Sequence, residues 1–184
     1  MTKNLPSPTD LSKHDVTMTV HHVDGLTFDF PSSWLSCKYD EWDFYRNQFG
    51  RIQPGIKAVD LIVLNPDTAW MIEVKDYRVH RRTKIVDIHQ EFAEKVLHTL
   101  SALLPAKANA NNSTEKSFAT EALRRSRLRL VLHLEQPAKH SKLFPRAINP
   151  LNVQLKLRQV LKAIDPHPIV AETGRMHGLV WSVE

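Results

Sequence analysis

The chain reads as an α/β protein (α+β) built on a central mixed β-sheet flanked by helices. Three observations point there. Two pairs of short apolar strands, each joined by a tight turn, lie in the first 75 residues. A long helical stripe of apolar residues follows, and after it comes a strand with clean apolar/polar alternation. Early antiparallel pairs plus a strand reached through a helix make a mixed sheet.

In order, residues 1–14 are polar and hold two prolines, which reads as a loose, flexible tail ahead of a single domain over 15–184. Val16 to Val23 and Leu26 to Phe30 alternate around the Asp24-Gly25 turn signal, a hairpin ended by Pro31. From Lys38 to Phe49, the apolar stripe Trp42, Tyr45, Phe49 predicts an amphipathic helix stopped by Gly50, with Asp40, Glu41 and Asp43 favouring its positive end. A second hairpin runs from Lys57 to Lys75. The basic connection from Asp76 to Lys84 leads into a helix with Ile85, Ile88, Phe92, Val96, Leu97, Leu100, Leu103 and Leu104 on one stripe, ending before Pro105. Ala106 to Ser117 has loop composition, and a short helix follows through Glu121 and Leu123. Arg127 to Glu135 alternates as a strand, with Leu128, Leu130, Leu132 and Leu134 on one side. Asn149-Pro150 reads as an N-cap with proline at the first helical position. The helix it starts reaches about Ala163, carries Leu151, Leu155, Val160, Leu161 and Ile164, and is broken by Pro166 and Pro168. Two short closing strands end the chain.

Composition bounds the function. The chain has 184 residues, 42% hydrophobic and 24% charged, so it holds enough material for a core and is unlike a disordered chain. A formal charge of +5 hints at a polyanionic partner. Cys37 is the only cysteine, which excludes an intrachain disulfide and points to a reducing compartment. The first ten residues lack the apolar core of a secretory signal, and no apolar run approaches the roughly 20 residues that span a bilayer. A cytoplasmic protein with no membrane partner is expected. P-loop and nucleophile-elbow motifs are absent, which disfavours ATP and serine hydrolysis. The histidines, among them His21, His22, His80, His89 and His98, show no zinc-ligand spacing.

The second hairpin carries the chemistry. Its apolar strands contain only Asp60, Glu73 and Lys75 as ionisable groups. Pairing Asn65 with Thr68 across Pro66-Asp67 sets Leu64 against Ala69, Ile62 against Met71 and Asp60 against Glu73. Directly opposed Cβ atoms lie about 4.5–5.5 Å apart, and Lys75 shares the face of Glu73. Two opposed carboxylates need a cation, and Mg²⁺ or Mn²⁺ suits oxygen ligands. Such a site activates water and polarises a phosphoryl oxygen.

Asp60 followed by Glu73-Val74-Lys75 resembles the signature of the PD-(D/E)XK nuclease superfamily, with Val59 in place of the proline often found before the first acid. The resemblance implies a restriction-endonuclease-like core of helix, three strands, helix and strand. It further implies metal binding by Asp60, Glu73 and the Val74 carbonyl, with Lys75 assisting the attacking water. Some relatives add a carboxylate from the preceding helix, for which Glu41 is the first choice and Asp40 the next. Gln90 falls near a glutamine motif of one branch, but Glu94 stands where a tyrosine is expected. Lys95 and Thr99, one turn apart on the long helix, are placed to face substrate. Arg78, His80, Arg81, Arg82 and Lys84 are placed to clamp flanking phosphates, and Arg124, Arg125, Arg127 and Arg129 to extend that track.

The expected activity is therefore a Mg²⁺-dependent endonuclease acting on DNA, in defence or repair. Its target choice would come from homodimerisation or a partner protein. Two alternatives remain open: a catalytically silent nucleic-acid-binding or assembly subunit, and an RNA-directed nuclease.

Overall fold

The computed structural model describes residues 18–80, 82–137 and 147–184. The expected tail and Arg81 lie outside them. Two sheets form. The smaller joins β1 (Met18–Val23), β2 (Leu26–Pro31) and β8 (Ser182–Val183), all antiparallel. Asp24 and Gly25 take positive φ values of 49° and 77°, the turn that matches the twist of a two-residue hairpin. The larger is mixed and runs β3 (Leu35–Lys38), β4 (Leu61–Leu64), β5 (Thr68–Asp76), β6 (Arg127–Glu135), β7 (Ile169–Ala171). Its first three strands are antiparallel and its last three parallel.

Three α-helices, α1 (Ile88–Asn109), α2 (Ser113–Ala122) and α3 (Pro150–Leu161), complete the α+β fold among the described residues. The large sheet is covered on both faces. One face packs Met71, Leu130 and Leu132 with Phe92, Val96 and Leu103 of α1, Phe118 of α2 and Leu157 of α3. The other packs Ile72, Val74 and Val131 with Phe28 and Phe30 of the small sheet and Trp181. β5 thus contributes to two cores, which explains its nearly unbroken apolar run.

Several expectations are corrected. The segment expected as a helix from Lys38 is the end of β3, then a 3-10 turn Tyr39–Glu41, a π-helix Phe44–Gln48 and another 3-10 turn Phe49–Arg51. Lys38 pairs across to Leu61, so the edge of the sheet outcompetes helix formation there. At Gly50 a Cβ would sit 2.6 Å from the Tyr45 carbonyl oxygen, so glycine permits this close approach. α1 does not stop at Pro105 but carries it inside and runs to Asn109. Ala102, Leu103, Ala106 and Ala110 bury against Phe118, Ala119 and Ala122, and that packing overrides the proline. Much of the expected loop is therefore helix. Leu97 and Leu104, 52% and 65% exposed, leave the expected stripe. α3 starts as expected, Asn149 Oδ1 accepting the Leu151 and Asn152 amides. It buries Val153, Leu157 and Leu161, and leaves Leu151, Leu155 and Val160 exposed.

Candidate functional site

The hairpin register is Leu64↔Ala69, Ile62↔Met71 and Leu61↔Ile72. It is fixed at the turn, where the Asn65 side-chain oxygen accepts the Asp67 and Thr68 amides and Asn65 N–H donates to the Thr68 carbonyl. Asp60 lies one residue before β4, at the place this register sets against Glu73. Its carbonyl accepts the Tyr39 amide at 2.9 Å, and its Oδ2 accepts the Val74 amide at 2.6 Å.

Glu73 is 1% exposed and touches two ammonium groups. Lys95 Nζ lies 2.6 Å from its Oε1 and 2.8 Å from its Oε2, and 3.4 Å from Asp60 Oδ1. Lys75 Nζ pairs with Glu73 Oε1 and donates to the Val74 carbonyl at 3.2 Å. Burial pushes the Glu73 carboxyl up to about 7, reinforced by Asp60 and opposed by Lys75 and Lys95. For Lys75 burial works against the charge, but Glu73 and Asp60 outweigh it and hold the ammonium more firmly protonated than usual.

One face of α1 assembles this cluster. Glu94 pairs with Lys57 at 2.5 Å, and His98 Nδ1 accepts the Lys57 amide at 3.0 Å. Thr99 Oγ1 accepts the Val59 amide at 3.1 Å, while Lys95 reaches Asp60 and Glu73. Residues one helical turn apart thus hold the chain just before β4. Thr99 is fully buried, so it braces the strand rather than facing a substrate. Gln90 is exposed.

The remaining candidates are dispersed. Glu41 pairs with Lys38 at 2.6 Å and its side chain is 49% exposed. Asp40 is the acid coupled to Asp60: burial and then the Asp60 charge raise its pKa. Arg78 is held by Asp76 at 2.7 Å, and His80 is exposed. Arg82 donates to Tyr77 Oη and to Glu91, each at 2.9 Å, and also to the Val86 carbonyl. Lys84 pairs with the same Glu91 at 2.5 Å. Burial works to raise the Glu91 carboxyl, but Lys84 and Arg82 hold it down at about 2. The second arginine cluster is divided, with Arg125 and Arg129 tied into the fold and Arg124 and Arg127 largely exposed. Arg125 donates to the Asn65 carbonyl at 2.7 Å, Arg129 pairs with Asp165 at 3.2 Å and lies 5.4 Å from the Trp70 ring centre, and Arg124 pairs with Glu121 at 2.5 Å. Arg127 lies 3.9 Å from Asp67.

Two ammonium groups thus contact the two carboxyl groups. Lys75 and Lys95 offset part of the repulsion that calls for a divalent ion. Among the described residues no group of three or more His, Cys, Asp or Glu side chains is arranged to hold a metal. The residues present make a poor fit for an ion that takes six or more oxygens, and no chemical step is derived through one. Lys95, expected to face nucleic acid, instead meets Asp60 and Glu73, and Glu91 on the same helix holds Arg82 and Lys84. The signal was there in the spacing of Glu91, Lys95 and Thr99, four residues apart on one helical face.

No family model and no solved structure matches the chain. It is 32% identical over 178 residues to a cysteine–tRNA ligase of Neisseria meningitidis serogroup A, a match spanning 79% of this chain and 26% of the ligase. The chain therefore covers about a quarter of the length of that relative. This similarity overturns the PD-(D/E)XK identification and, with it, the Mg²⁺-dependent endonuclease activity, DNA as substrate and the roles in defence or repair. The nuclease resemblance rests on a signature of three charged residues, and the structure pairs Glu73 with Lys75 while Asp60 and Glu73 both meet Lys95. No helix among the described residues is long and apolar enough to cross a membrane.

Proposed function

We propose that this chain is a tRNA-directed binding module of the cytoplasm, an accessory to tRNA charging. The observation that carries the reading is the match of most of the chain to part of a cysteine–tRNA ligase. The reading stops at binding, since the shared segment is only 26% of the ligase. The net charge of +5 supports a polyanionic partner. So does α3, which has no acidic residue and leaves Lys156 and Arg158 exposed. In this reading Asp60, Glu73, Lys75 and Lys95 are a structural network that fastens β5 and the start of β4 to α1. Arg78, His80, Lys84 and Lys156 belong to the surface available to RNA.

The test is fluorescence anisotropy with a tRNA transcript and a DNA duplex of equal phosphate count, at low and moderate salt. Binding to tRNA that weakens with salt, with weaker binding to the duplex, is the expected result. Absence of tRNA binding at low salt, or equal affinity for the duplex, refutes the reading.

A further inference from the structure

We infer that the open groove between the 82–89 segment and the first half of α3 holds a stretch of RNA sugar–phosphate backbone. This inference rests on the tRNA reading and gives it a place on the molecule. The groove has a volume of about 330 Å³, and its lining includes Lys84 and Val86 on one side, Asn149, Asn152 and Lys156 on the other, and Ile88 between. Cations stand on both sides: the side chain of Lys84 is 61% exposed and that of Lys156 51% exposed.

The ion pairs of the groove leave these lysines able to bind. Glu91 is the partner of Lys84 but is only 3% exposed, so it anchors the ammonium from beneath. Lys156 pairs at 3.1 Å with Asp87 on the facing 82–89 segment, an acid that is itself exposed. An ammonium has three N–H donors, and one ion pair leaves donors for a phosphate oxygen. Arg82 plays a different part: its bonds to Tyr77, Glu91 and the Val86 carbonyl make it the strut that holds this side of the groove in shape. Counting Arg82, Lys84 and Lys156 against Glu91 and Asp87, the groove carries one net positive charge, and only Asp87 presents an exposed acid. α1 and α3 both begin here, and their partial positive ends add to the field. The asparagine amides suit ribose and phosphate.

The experiment compares two double variants of equal net charge in the same tRNA anisotropy assay. Lys84→Gln/Lys156→Gln empties the groove of its exposed cations, whereas Lys107→Gln/Lys116→Gln removes exposed cations elsewhere. The groove variant is expected to bind about tenfold more weakly and to lower the salt dependence by roughly two phosphate contacts. The control is expected to change affinity less than about threefold, as an effect of net charge alone. Asp87→Asn, which removes the exposed acid, is expected to bind more tightly than wild type. Equal weakening in both double variants, or none in either, overturns the groove while tRNA binding by wild type leaves the broader reading standing. Failure of wild type to bind tRNA overturns both. Matching melting temperatures for the two double variants confirm that the comparison reads binding.

Discussion

Glu73→Gln tests the electrostatics of the buried cluster most directly. The wild-type carboxyl titrates near 7 when folded against 4.5 in a model peptide, because burial and the Asp60 charge outweigh Lys75 and Lys95. The sign follows from linkage. A folded-state acid with a raised pKa binds its proton more tightly than the unfolded chain does, so its contribution to stability falls as pH rises from about 4.5 to about 7. Between pH 5 and pH 8 the loss is about 2–3 kcal/mol, from a two-state treatment of those pKa values. Glutamine does not titrate, and the other titrating groups are shared, so they largely cancel in the difference between the two proteins. Urea unfolding of both across this range is therefore expected to show wild type losing about 2–3 kcal/mol relative to the variant. Parallel stability curves, or wild type gaining on the variant as pH rises, would refute the reasoning. The second outcome would mean that the two lysines keep Glu73 fully ionised.

Two further expectations concern neighbouring groups. Glu91→Gln removes a carboxylate held near 2 by Lys84 and Arg82 against the cost of burial. Acid unfolding should show wild type losing about 3 kcal/mol relative to the variant as pH falls from about 5 to about 2. Lys95→Met leaves Asp60 and Glu73 with Lys75 alone, so differential scanning fluorimetry should show millimolar Mg²⁺ stabilising this variant and not wild type. An equal shift in both proteins would mean that a divalent ion displaces the lysine.

Much of the fold was legible where local rules act alone. The Asn65 turn fixes the second hairpin, Asp24-Gly25 fixes the first, and Asn149-Pro150 starts α3, all through bonds or torsions within a few residues. Illegible parts were those settled by distant contacts. Pro105 reads as a terminator until the alanines beside it find Phe118 and Ala119 of α2. The aromatic stripe at Trp42, Tyr45 and Phe49 reads as α-helix until β4 captures Leu35 to Lys38 as an edge strand. The charged triplet of the hairpin was visible, but Lys95 arrives from another element and changes its meaning. Three ionisable groups on a pair of strands invite a metal, whereas two acids met by two lysines make a contact between strand and helix. A motif of three residues likewise carries less information than similarity along most of the chain.

β5 contributes Met71 to one core and Ile72 and Val74 to the other, with Glu73 between them. No partial opening on a single side releases this strand, since each side's packing still grips it. Its amide protons should therefore exchange with deuterium only through global unfolding, and the slowest exchanging set in the protein should centre on residues 71–74. The same double enclosure makes β5 a poor place for a mobile catalytic part and a good rigid keel, against which surface elements such as α3 can meet a large flexible partner without distortion.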